Sequence, residues 1–157
     1  IELRTSVLLA ASLKMGGILG GAGERNQNLL YEFGRKLGIA FQVQDDYLDA
    51  FGDPQKFGKQ IGGDILANKK TFLLIHAMET ANTAQLEELK HWMGGNAANK
   101  VEQVVRLFRE VRVDEWALDL KIKYLDEALE HLEDIAVLSK RKQPLAELAR
   151  FLVQREH

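Results

Sequence analysis

One long helical pattern with three carboxylates inside it restricts the fold more than any other stretch of the chain. Leu30, Phe33, Leu37, Phe41 and Gln44 step along one face. The pattern predicts a helix of about 25 residues, nearly 40 Å at about 1.5 Å per residue. It should start from a cap at Asn26, run to Phe51 and stop at Gly52-Asp53-Pro54. Asp45 and Asp49 are spaced i, i+4, Asp46 and Asp49 i, i+3, and Gln42 lies one turn earlier on that side. Neighbouring anions repel, and Asp is a poor residue for a helix interior. No Lys or Arg occurs between Leu37 and Asp53 to neutralise them. A solvated face is the ordinary reading of a charge run. Such a face would carry Lys and Glu at i, i+4, whereas Leu37, Ile39, Phe41, Val43, Leu48 and Phe51 point to burial on most sides. A cation from outside the helix is therefore expected. Mg2+ suits the donors, because it takes oxygen ligands and is usually held by one or two carboxylates plus substrate phosphates.

The stretch after the helix has no sustained period. Gly58-Lys59-Gln60-Ile61-Gly62-Gly63-Asp64 and the following Ile65-Leu66-Ala67-Asn68-Lys69-Lys70 combine glycines, lysines and one further carboxylate. Phe57, Ile61, Ile65 and Leu66 would tether this segment to the body, unlike a featureless linker. An ordered loop with at most a short helical turn, closing over a polyanion, is the better reading.

FQVQDDYLD followed by GKQIGGDILANKKTF resembles the second aspartate-rich region of the trans-isoprenyl diphosphate synthases, the polyprenyl synthetase family that makes farnesyl and geranylgeranyl diphosphates. DDxxD by itself is a weak signature. Joined to the spacing GK-x(3)-GD-x(3)-NK it is specific. Leu3-Arg4-Thr5-Ser6-Val7 also resembles the family helix in which a basic residue precedes Thr. The resemblance covers essentially the whole chain, at the level of the family's C-terminal half. It implies an all-α, antiparallel helical bundle of the isoprenoid synthase type, here without its N-terminal helices. Residues 1–157 would then be the C-terminal part of one polyprenyl synthase domain.

The implied reaction is Mg2+-dependent prenyl transfer: an allylic diphosphate ionises, isopentenyl diphosphate attacks the cation, and a proton is lost. By resemblance, Asp45 is the main metal ligand, and Asp49 and Asp46 complete or order its shell. Lys59 and Lys69 take diphosphate positions, and Asp64 stands behind the metal ligands or acts through water. Thr5 and Gln42 match a Thr and a Gln facing the reacting carbons, so that Thr5, Gln42 and Lys59 form the implied catalytic set. Arg4 stands where the family usually has Lys; its planar fork still binds diphosphate, in a different geometry from a compact ammonium. The family's first aspartate-rich motif, with its arginines, does not occur in these residues. The 157-residue chain is accordingly expected to be inactive by itself.

The rest of the chain supports an all-α reading without alternating strands. The first helix should span residues 2 to about 20, with Leu3, Val7, Leu8, Ala11, Met15, Ile18 and Leu19 at helical spacing. Further helices are expected at about 69–81, about 84–93 after Asn82-Thr83, along the stripe Val101 to Val111, from a cap at Asp114, and from Gln143-Pro144 with proline at the first helical position. That last helix should bury Leu145, Leu148, Ala149, Leu152 and Val153, with Lys140-Arg141-Lys142 a solvated turn before it. His76 reads as a core or rim histidine, and Trp92 and Trp116 as packing residues. A net charge of −2 excludes a basic field for nucleic acid. No apolar run approaches the roughly 18 residues of a membrane span. The absence of cysteine agrees with a reducing, cytoplasmic setting. Ile1 opens directly into a helical pattern with no capping residue, so the true start is expected upstream. Apolar surface left bare by a half-bundle should drive homo-oligomerisation, expected as a dimer, or a domain swap.

Two other functions fit the residues less well. A terpene cyclase or head-to-head condensing enzyme shares the fold and the carboxylate logic, but the GKQIGGD-x(3)-NK loop argues against it. A non-catalytic helical subunit would keep its partner when Asp45 and Asp46 are replaced by Ala, whereas a metal site would lose diphosphate binding.

Overall fold

The computed structural model describes residues 5–53 and 61–154, and every regular element among them is helical. The helices are α1 (Val7–Leu19), α2 (Glu24–Phe51), α3 (Gly63–Leu66), α4 (Phe72–Thr80), α5 (Thr83–Gly94), α6 (Lys100–Glu110), α7 (Val113–Glu133) and α8 (Ser139–Gln154). They form two compact units. The first contains α1, α2 up to Gln42, α7 from Asp119 onward and α8; the second contains α2 from Val43, α3 to α6, and α7 up to Leu118.

The first unit is built on Phe33, Leu37 and Ala40 of α2, Leu125, Ala128 and Leu132 of α7, Ile135, and Ala149 and Val153 of α8. Its tightest feature is a seam of small residues. A Cβ on Gly38 would stand 2.4 Å from the Cα of Ser6, and one on Gly34 2.8 Å from the Cα of Ala10. Gly34, Gly38 and Gln42 follow each other at intervals of four along α2, against Ala10 and Ser6 four apart near the start of α1. Each glycine weakens a helix interior by roughly 0.5–1 kcal/mol relative to Ala; here each permits backbone contact that no other residue allows. The Thr5 hydroxyl, at the end of this seam, donates to Gln42 Oε1 at 3.3 Å.

The second unit buries Leu73, Leu74 and Ala77 of α4, Leu89 of α5, Val104, Leu107 and Phe108 of α6, and Val113 and Ala117 of α7. The end of α2 is fixed by aromatic contacts: Tyr47 lies 5.1 Å from Phe51, and Phe51 6.4 Å from Phe108, between ring centroids. α5 starts on a reciprocal cap, in which the Gln85 amide donates to Asn82 Oδ1 at 3.0 Å and the Asn82 amide to Gln85 Oε1 at 3.1 Å. Asn82→Ala should therefore cost about 1 kcal/mol, read as a lowered midpoint in urea unfolding.

Several sequence expectations are corrected. Asn26 is not a cap, because α2 begins two residues earlier; its Oδ1 accepts the Ala136 amide at 3.2 Å. Asp114 lies inside the first turn of α7, which begins after Arg112 has turned the chain at φ 58°. α8 begins at Ser139, so Pro144 sits inside the helix. Lys140-Arg141-Lys142 is therefore helical, and Lys142 is buried. Its ammonium closes the end of α7, donating to the Glu133 carbonyl at 2.5 Å and the Ile135 carbonyl at 3.3 Å. Leu148 is 48% exposed, not core. On α1 the apolar stripe faces outward, with Leu8 71%, Met15 61% and Leu19 87% exposed, while Ser6 and Ala10 face the seam.

Candidate functional site

The carboxylates of α2 differ in setting. Asp46 is buried, whereas Asp45 and Asp49 are half-buried. Asp49 is where the following loop docks. The Gly62 amide donates to its carbonyl at 2.6 Å, and the Asp64 amide to its Oδ2 at 3.0 Å. Burial pushes the Asp49 carboxyl above the usual carboxylate range, while the Asp64 amide opposes the shift.

The loop owes its shape to two left-handed residues, Gly62 at φ 77° and Asn68 at φ 51°. Gly62 is required twice over, since a Cβ there would also stand 2.3 Å from Val101 Cγ1. Between these two residues runs α3, with Ile65 buried beneath it. The Asp64 carboxylate forms an ion pair with Lys69, and the Lys69 amide donates to the Asp64 carbonyl at 2.9 Å. Asp49, Asp64 and Lys69 are thus brought together, with the lysine the more exposed partner of its pair. Thr5 and Gln42 are brought together in the first unit by their hydrogen bond. Arg4 and Lys59 lie outside the described residues.

Among the described residues no group of three or more His, Cys, Asp or Glu side chains is arranged to hold an ion by itself. An ion here needs oxygens from water or from a bound phosphate, as Mg2+ ordinarily does. The donor set fits such an ion. Oδ2 of Asp49 is occupied by an amide, while Oδ1 faces Gly63, where a Cβ would come within 3.3 Å. A side chain at position 63 would crowd that oxygen, and glycine does not.

His76 and Trp116 stack at 3.7 Å between centroids with ring planes 7° apart, and burial lowers the His76 pKa. The two rings thus pack on each other, and the Trp92 indole N–H donates to Glu88 Oε1 at 3.3 Å.

Residues 1–111 match the family model described as polyprenyl synthetase. The chain belongs to the polyprenyl synthetase family. It is 33% identical over 157 residues to the short chain isoprenyl diphosphate synthase of Methanothermobacter thermautotrophicus, covering all of this chain and 48% of that protein. Its fold matches the crystal structure of geranylgeranyl pyrophosphate synthetase from Pyrococcus horikoshii at a TM-score of 0.91 and 33% identity, over 99% of this chain and 47% of that one. A geranylgeranyl pyrophosphate synthase from Corynebacterium glutamicum, solved with isoprenyl diphosphate and magnesium, matches at a TM-score of 0.79 and 26% identity, over 89% and 40%. The chain therefore has the all-α isoprenyl synthase fold, and spans about half the length of these relatives.

Two features escaped the sequence reading. The Gly34–Gly38 seam was signalled by two glycines four apart inside a helical pattern, each of which needs a packing reason. Lys100, only 1% exposed, gave no signal, because its side-chain partner Asn68 is 32 residues away and the Met93 carbonyl belongs to the preceding helix.

Proposed function

We propose that these residues are the C-terminal part of a single polyprenyl synthase domain that condenses an allylic diphosphate with isopentenyl diphosphate. The observation that carries the reading is the Asp49 carboxylate, anchored on one oxygen by the Asp64 amide with its other oxygen beside Gly63. Asp45 and Asp49 hold the cation together with diphosphate oxygens, and Asp46 orders them. Magnesium supplies neutralisation of the departing diphosphate when bound. Lys69, oriented by Asp64, faces diphosphate charge, and Lys59 and Arg4 add to it. The Thr5–Gln42 pair presents oxygens able to steady developing positive charge or take up the departing proton. The magnesium and isoprenyl diphosphate of the Corynebacterium relative support this choice of ion and ligand.

The reaction belongs in the cytoplasm, and among the described residues no helix is long and apolar enough to cross a membrane. The outward stripe Leu8, Met15 and Leu19 supports a homodimer, expected as a dimer in sedimentation at micromolar concentration. The 157 residues carry one aspartate-rich motif of the two the chemistry uses, so they bind magnesium diphosphate without turnover. Incubation with labelled isopentenyl diphosphate, an allylic diphosphate and Mg2+ tests this. Turnover by this polypeptide alone overturns the claim of inactivity, and failure of a longer chain carrying both motifs overturns the activity.

Protons compete with the cation at Asp49. Its pKa is raised in the fold, so Mg2+ binding should weaken as pH falls through that raised value. Calorimetric titration with Mg2+ and pyrophosphate from pH 7 to pH 4 should show the loss, with proton release on binding.

A further inference from the structure

The geometry points to Lys100 as a positioning residue for the diphosphate loop, acting through Asn68 on Lys69 and Asp64. The inference rests on the reading of Asp49, Asp64 and Lys69 as a magnesium diphosphate site.

Lysine is almost never fully buried unless paired, because its ammonium loses hydration. Lys100 is 1% exposed, and its two acceptors are both neutral: Asn68 Oδ1 at 2.6 Å and the Met93 carbonyl at 3.1 Å. An apolar side chain would fill the same space without that cost. What the ammonium adds is a bond from the first turn of α6 to the loop, 32 residues away in sequence. Its target holds a left-handed backbone at φ 51°, a conformation that Asn tolerates but does not prefer without support. Asn68 leads directly into Lys69, whose amide and ammonium both bind Asp64, and the Asp64 amide binds Asp49. The next residue of α6, Val101, abuts Gly62 at the other left-handed turn. The start of α6 thus grips both ends of the Gly62–Asn68 segment, and Lys100 is the polar half of that grip. Its bond to Met93 ties the same point to the last turn of α5, so the loop is referred to two helices of its own unit.

The test compares the wild-type chain with Lys100→Met, Asn68→Gly and the double variant, with Asp49→Asn as a control. Gly keeps the left-handed turn at 68 while removing the acceptor. Affinity for Mg2+ with inorganic pyrophosphate is measured well below each melting temperature, and hydrogen exchange is followed at the amides of Asn68 and Lys69. Lys100→Met should weaken binding about tenfold and speed exchange at both amides. Asn68→Gly should do the same, and the double variant no more than either. A merely structural Lys100 would lower the melting temperature in both backgrounds and leave the affinity unchanged. Unchanged affinity in Lys100→Met, with binding lost in Asp49→Asn, overturns the inference and leaves the site standing. Unchanged exchange overturns it whatever the ligand result. Wild type that fails to bind, or binds as Asp49→Asn does, overturns the site reading and the inference with it.

Discussion

Asp49→Asn should weaken binding of Mg2+ with pyrophosphate by about 100-fold, close to 2.8 kcal/mol, while the chain stays folded. The substitution is isosteric, and the carboxamide oxygen can still accept the Asp64 amide that Asp49 accepts at 3.0 Å. What disappears is the negative charge on the oxygen flanked by Gly63. The unliganded variant should also melt higher than wild type at pH 7. Burial raises the Asp49 pKa in the fold, so the native state binds more protons there than the unfolded chain does. Its contribution is favourable below the unfolded value of about 3.9 and is lost as pH rises through the folded value. At neutral pH the charged, partly desolvated carboxylate is a net cost that Asn removes. The melting difference should shrink towards zero below about pH 3.9. Calorimetry with ligand and thermal melts without it should therefore move in opposite directions. A variant that loses stability while its affinity is unchanged would mean that Asp49 serves the fold alone.

Gly38→Ala should lose about 2 kcal/mol of stability, against the ordinary preference of a helix interior. Propensity alone favours Ala by about 1 kcal/mol. Against that, the new Cβ would lie 2.4 Å from the Cα and 2.6 Å from the Cβ of Ser6. The obstacle includes backbone, which cannot rotate aside, so the overpacking penalty falls near the upper part of its range of about 1–3 kcal/mol. The melting temperature should drop by roughly 4–8 °C. Moving α1 away from α2 also lengthens the Thr5–Gln42 bond, already 3.3 Å. Gly16→Ala is the matched control: nothing lies within 4 Å of its Cβ position, so it should stabilise by roughly 0.5–1 kcal/mol. Equal shifts for the two variants would remove the seam as an explanation.

Most of the helices and the aspartate face were legible because they depend on neighbours within four residues. The stripe Val101 to Val111, the Asn82 cap and the stop at Gly52 all follow from local spacing and local hydrogen bonds. The family signature was legible for the same reason, since DDYLD and GKQIGGD are short contiguous motifs separated by only eight residues. Helix starts were misplaced at Asn26, Asp114 and Pro144, where each residue is also a fair helix-start signal but a different neighbour begins the helix. Lys142 read as solvated because its charge is visible in sequence, and the Glu133 and Ile135 carbonyls that bury it are not. The stripe on α1 was correct in period, yet period alone does not say which face meets a neighbour; the Gly34–Gly38 seam chose the side carrying Ser6 and Ala10. Likewise the motif named the loop, but its anchoring came from Asp49 below and Lys100 behind, across 15 and 32 residues. Sequence alone determined the helices, their order and the cluster of anions. Only the tertiary structure decided which faces are buried and which lysine holds the loop, because those are set by contacts between groups that no local periodicity encodes.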